Sequence, residues 1–177
     1  MDDSGAFVAA WENGFGNNVV AGQFNPDGPF PGSGFRVNSE TTYAQEWPDV
    51  ASDGTGNFVV VWHSDRQDGA GSGIYAQLYD SSGAPDGGEF RVNVRTDEVE
   101  EFPAVAMSDP DHYVFAWGRF ELPNNGMEGI YSRFLSGRPA NTAPATYAGN
   151  YASSFDKPSE GEAYTLSAAS ASDPDED

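Results

Sequence analysis

The sequence predicts an all-β protein: a partial β-propeller-like array of four-stranded antiparallel units, then an incomplete β-sandwich segment. Three observations point there. Short runs rich in β-branched and aromatic residues alternate with Gly/Asp/Ser-rich breaks, the pattern of strands joined by tight turns. Those runs recur along the chain at a nearly fixed spacing. No stretch keeps a helical period over three turns.

The clearest unit runs from Trp47 to Asn93 and contains four predicted strands: Pro48 to Ala51, Asn57 to Trp62, Ile74 to Tyr79 and Glu89 to Asn93. Phe35-Arg36-Val37-Asn38 returns as Phe90-Arg91-Val92-Asn93, Pro48-Asp49-Val50-Ala51 as Pro103-Ala104-Val105-Ala106, and Phe58 to Trp62 as Tyr113 to Trp117, each 55 residues later. Phe7-Val8-Ala9-Ala10-Trp11 precedes Phe58 to Trp62 by 51 residues. Val20 to Phe24 aligns with Ile74 to Leu78 at a spacing of 54, and Gly129-Ile130-Tyr131 lies 56 beyond Gly73-Ile74-Tyr75. Strand positions hold register while turns gain or lose residues, as expected if each copy is one supersecondary unit.

Taken in order, residues 1 to 12 enter the first copy at its second strand, without a P-x-V-A strand before it. That copy continues through Val19 to Phe24, a turn at Asn25-Pro26-Asp27-Gly28, and Phe35 to Asn38. The units are expected at about 1–45, 46–100 and 101–140, the last stopping where a G-x-F-R-V-N strand should follow. From Asn141 to Asp177 the composition shifts to Ala/Ser/Thr alternation, with Asn141-Thr142-Ala143-Pro144 read as an extended linker because proline biases its predecessor away from helix.

Four strands per unit of about fifty residues is the pattern of a propeller blade; a β-sandwich of hairpins is the other arrangement such strands can make. Trp11, Trp62 and Trp117 end the strand expected at the centre of each blade, where a large ring fills the space between neighbouring sheets. Carbohydrate stacking is the other use for those rings. The array is expected to be unclosed, with the strand edges at Phe7 to Trp11 and Ile130 to Phe134 open to edge-strand self-association.

Composition narrows the function. The chain has 177 residues and, with 28 acidic against 8 basic residues, a net charge of −20. Nucleic acid is excluded as a partner, since phosphates need clustered Lys and Arg. No run approaches the roughly 18 apolar residues of a membrane span, so no membrane insertion is expected. There is no cysteine, which removes disulfide, zinc-thiolate and thiol chemistry, and there are two histidines. Met1 is followed by Asp2-Asp3-Ser4-Gly5, so an export signal is expected outside this chain.

The units resemble a blade-like repeat common in large secreted or surface-exposed bacterial proteins, through P-x-V-A, G-x-F-V-V-V-W, G-I-Y-A-Q and G-x-F-R-V-N, over about residues 5 to 137. The tail, with N-T-A-P-x-x-x-A-G, E-G-x-x-Y-T-L-S-A and S-D-P-D, resembles the beginning of a polycystic-kidney-disease (PKD)-type domain, an immunoglobulin-like sandwich of extracellular enzymes and adhesins. These resemblances imply a secreted or cell-surface location. They also imply a non-catalytic, adhesin-like binding or spacing role, with an extracellular protein or a carbohydrate as the ligand. An accessory region of a secreted hydrolase whose catalytic domain lies elsewhere is the alternative.

Candidate chemistry is sparse. Asp173, Asp175 and Asp177 stand at alternate positions after Ser172, where a turn can offer carboxylates to calcium with carbonyls or water completing its six to eight oxygens; a solvated acidic loop is the competing reading. Asp65, Asp68 and Ser72 form a second calcium candidate that ordinary turn chemistry also explains. No other cofactor is expected. Glycoside hydrolysis needs paired carboxylates; Glu46 and Glu101 are a pair, but they occupy equivalent places in successive repeats, which favours a structural role. Ser52-Asp53-Gly54 is a fragment of the S-x-D-x-G-x-x-W box of sialidase-like propellers, and neither a G-x-S-x-G elbow nor an H-E-x-x-H helix occurs.

Overall fold

A computed structural model describes residues 5–14, 18–28, 34–67, 69, 71–121 and 126–137. The described residues form ten strands and no helix: β1 (Phe7–Glu12), β2 (Val19–Phe24), β3 (Phe35–Arg36), β4 (Gln45–Ser52), β5 (Phe58–Asp65), β6 (Ser72–Tyr79), β7 (Phe90–Arg91), β8 (Val99–Asp109), β9 (His112–Glu121) and β10 (Gly126–Ser136). They make three antiparallel sheets, β1-β2-β3, β4-β5-β6-β7 and β10-β9-β8. We call these sheets A, B and C. Each is a meander of consecutive strands, so the all-β architecture follows from short turns at the Gly/Asp-rich breaks. Residues 141–177, where the linker and the PKD-like segment were placed, lie outside the described residues.

The three sheets stack in chain order. Val59, Val61, Ile74, Ala76, Leu78 and Val92 of sheet B pack against Tyr113, Phe115 and Trp117 of β9. The opposite face of sheet B, with Phe58, Val60, Trp62, Tyr75 and Tyr79, packs on Val19, Ala21 and Val37, with Val8 and Ala10 at the margin. Sheet B is therefore covered on both faces. That is why β5 reads as the unbroken run Phe58-Val59-Val60-Val61-Trp62 rather than as an alternating strand. Each such side chain removed from water stabilises by about 1.5–3 kcal/mol.

Trp62 is fully buried, and its indole N–H donates to Gln45 Oε1 at 3.0 Å. The ring fills space between sheets A and B, and its polar edge is satisfied inside its own sheet. A carbohydrate platform at Trp62 is incompatible with that burial, and Trp117, 4% exposed, sits in the same way between sheets B and C.

One sequence alignment requires correction. Pairing of Val20 to Phe24 with Ile74 to Leu78 at a spacing of 54 is one residue out of register. Trp11 lies opposite Val20 whereas Trp62 lies opposite Tyr75, so Val20 corresponds to Tyr75 and the spacing is 55. A one-residue slip exchanges the two faces of a strand, so similarity of letters misassigned every side chain of β2 to the wrong side.

The F-R-V-N asparagine confirms the corrected register. Asn38 Oδ1 accepts from Val19 N–H at 2.7 Å, and Asn93 Oδ1 accepts from Ile74 N–H at 2.9 Å. Their amide groups donate onward to the carbonyls of Glu40 at 2.5 Å and Arg95 at 2.6 Å. The expected Glu89 to Asn93 strand is accordingly short, because after Val92 N–H bonds to Ile74 O at 2.7 Å a side chain takes over the ladder from the backbone.

The breaks between strands are held by carboxylates. Asp53 accepts from Thr55 N–H at 2.8 Å and Asn57 N–H at 3.0 Å, and Asp80 accepts from Ser82 N–H at 2.9 Å and Ala84 N–H at 3.0 Å. Ser52-Asp53-Gly54 is thus a turn whose side chain caps its own backbone.

Candidate functional site

Asp173, Asp175 and Asp177 lie outside the described residues, as does Asp68. Ser72 Oγ donates to Glu100 O at 3.1 Å, bridging sheets B and C. Asp65 lies 3.7 Å from the Arg66 guanidinium. Arg66 opens a tight turn, its N–H donating to Gly71 O at 2.8 Å and its carbonyl accepting from Gly69 N–H at 3.1 Å. Among the described residues no group of three or more His, Asp or Glu side chains is placed to hold a metal ion. His112 pairs with Asp109 at 2.8 Å at the start of β9, whereas His63 lies in β5.

The distinctive constellation is built on β4 and β8, the edge strands that open sheets B and C. Each carries a one-residue bulge at the same place: β4 advances from Glu46 to Asp49 while its partner β5 goes only from His63 to Val61, and β8 advances from Glu101 to Ala104 while β9 goes only from Gly118 to Ala116. The aromatic residue in each bulge has a left-handed backbone, with φ 51° at Trp47 and 55° at Phe102. Large side chains rarely adopt that region, and each of these also precedes a proline, which restricts it further. Strain of this kind costs about 1–3 kcal/mol per residue. Its appearance at both Glu-aromatic-Pro tripeptides makes it a property of the repeat.

The bulges turn two rings outward and together. Trp47 and Phe102, 36% and 54% exposed, have ring centroids 4.5 Å apart and planes 31° apart. Phe120 meets Phe102 edge-on at 5.9 Å, and His63 meets Trp47 edge-on at 4.8 Å. Three carboxylates border the rings. Glu12 reaches across from sheet A to accept the Trp47 N–H at 2.8 Å. Glu46 and Glu101 are neighbours in charge: partial burial, and then the charge of Glu46, raise the pKa of Glu101. His63 is 5% exposed, its Nδ1 has no hydrogen-bond partner among the described residues, and burial pulls its pKa down to about 4 against a smaller opposing pull from Asp65. At neutral pH the imidazole is therefore uncharged.

This rim offers apolar ring surface beside acceptor oxygens, with a neutral imidazole beneath. Such a combination stacks on a ligand and accepts hydrogen bonds from its hydroxyl or amino groups. Sequence reasoning treated Glu46 and Glu101 as structural because they repeat, and passed over Trp47 and Phe102. The available signal was the recurrence of a large aromatic directly before proline inside a strand, which only a bulge can accommodate.

No family model matches this chain, and no curated protein matches it. Among solved structures the chain is similar to the crystal structure of endo-arabinase from Bacteroides thetaiotaomicron, with a TM-score of 0.45 and 15% identity, over 74% of this chain and 52% of that one. This chain thus spans about half of that structure. The all-β architecture rests on the strands and sheets described above.

Proposed function

We propose that this chain is a non-catalytic binding and spacing module of a larger secreted or cell-surface protein, with propeller-type sheets as the spacer and the Trp47–Phe102 rim as its ligand contact. The observation that carries this reading is the repeated, strained bulge that holds two large rings at the surface beside Glu12, Glu46 and Glu101. Backbone strain of this kind clusters at functional sites, where the surrounding structure holds it in place. Carbohydrate is the favoured ligand class, since rings stack on sugar faces and carboxylates accept sugar hydroxyls; an extracellular protein is the other. The net charge of −20 supports an exposed, well-solvated exterior.

The test is affinity electrophoresis of the purified chain through gels containing a panel of soluble polysaccharides. At least one should retard the chain, and Trp47→Ala together with Phe102→Ala should abolish the retardation while leaving the unfolding midpoint within a few degrees. Equal retardation of chain and variant, or none with any polysaccharide and with no protein ligand, would sink the rim as a contact. Release of reducing ends, lost in Glu101→Gln, would instead establish hydrolysis.

A further inference from the structure

The two outermost sheet faces are copies of faces that already pack on each other inside the molecule. In sheet B the face toward sheet C carries the cross-strand pairs Val59–Leu78 and Val61–Ala76, with Ile74 beyond them. In sheet C the same positions are Val114–Phe134, Ala116–Ser132 and Ile130. Val59 and Ile74 are 0% exposed and Leu78 4%, but Val114 is 46%, Ile130 49% and Phe134 55% exposed. The acceptor face of the repeat is thus present a second time, and no described residue covers it.

The complementary face occurs once more than it is used, on the outside of sheet A. Sheet B meets sheet A through Phe58–Tyr79 and Trp62–Tyr75, the first pair stacked at 4.7 Å with planes 8° apart. On the outside of sheet A the same positions hold Phe7–Phe24 and Trp11–Val20; Phe7 is 42% exposed and stacks on Phe24 at 5.0 Å with planes 7° apart, whereas Val20 is 6% exposed and lies with the Trp11 ring beside Gly34. Both outer faces are free of charged side chains at these positions, in a chain of net charge −20.

We infer that the outer face of sheet C receives the Trp11 face of a second copy of this chain, head to tail, reproducing the packing of sheet C on sheet B. The contact is heterologous: each copy uses a different face, so it propagates or closes into a ring instead of stopping at a dimer. Mutual repulsion of the acidic chains opposes it at low salt and is screened as salt rises.

Sedimentation velocity across a concentration series at raised salt tests this with two variants that each block one face, Phe7→Glu and Ile130→Glu. The wild-type chain should grow past dimer with concentration. Each variant alone should remain a monomer, and an equimolar mixture should form a 1:1 dimer and no larger species, because one supplies the acceptor face and the other the Trp11 face. A wild-type chain that is monomeric throughout, as it would be if residues 138–177 covered the face, overturns the inference. So do variants that still self-associate through the open β1 and β10 edges, or a mixture that stays monomeric. If either variant loses its far-ultraviolet circular dichroism, Ala9→Lys and Phe134→Glu block the same two faces.

Discussion

Sheets B and C come from the same repeat, yet one lies inside the molecule and the other at its edge, and the difference shows what the repeat is for. In sheet B both faces are apolar and both are covered. In sheet C the face toward sheet B is packed while the opposite face, with Val114, Ile130 and Phe134, is bare among the described residues. The repeat therefore specifies two different adhesive faces whatever its place in the chain. Neighbours alone decide whether a given face becomes core. Stability should follow position in the stack more closely than residue type.

The largest effect should come from the repeated tryptophans. Trp62→Ala empties a fully buried site and leaves Gln45 without its indole donor, so it should destabilise by about 3–5 kcal/mol. Trp11→Ala, at the equivalent position on an outer face, should cost less than half as much. Urea midpoints of the two variants check this, and equal losses would break the comparison by showing that the outer face is covered.

His63 gives a second and smaller effect with a defined pH window. Its pKa falls from 6.5 to about 4 on folding, so the unfolded chain takes up the proton first as pH drops. Stability is intact above pH 6.5 and is lost progressively toward pH 4, by roughly 3 kcal/mol if the whole shift is expressed. His63→Phe keeps a ring against Trp47 and removes the titration, so its urea midpoint should stay flat where the wild type declines. A parallel decline in both would assign the pH response to other groups. Glu101 acts in the opposite sense, since its raised pKa means that protonation on acidification relieves a penalty.

The smallest effect sharpens the comparison by cancelling position. Asn38 and Asn93 are both 2% exposed and each clamps a backbone within its own sheet. Asn38→Ala and Asn93→Ala should each cost about 1–3 kcal/mol, because each strands a buried N–H. Hydrogen exchange should accelerate at Val19 in the first variant and at Ile74 in the second. A large inequality between them would mean that even this internal clamp depends on the neighbouring sheets.

By itself the sequence determined the elements and their repetition. Val59-Val60-Val61 between Gly56 and His63, the Asp-capped turns at Asp53 and Asp80, and the recurrence of F-R-V-N all act over a few residues, where propensity and turn chemistry are strong. Register was less legible: by letter Val20 to Phe24 matches Ile74 to Leu78 at 54 better than Tyr75 to Tyr79 at 55, and only the partner across the sheet, Trp11 to Val20 and Trp62 to Tyr75, shows that 55 is right. The rim was hidden for a related reason. Trp47 and Phe102 are 55 residues apart in sequence and meet only because the edge strands β4 and β8 of successive sheets lie side by side, while Glu12 joins them from a third sheet. Local chemistry writes strands and turns, but which faces become core and which rings share a surface is decided by long-range stacking, whose energy belongs to pairs of sheets and to no single segment.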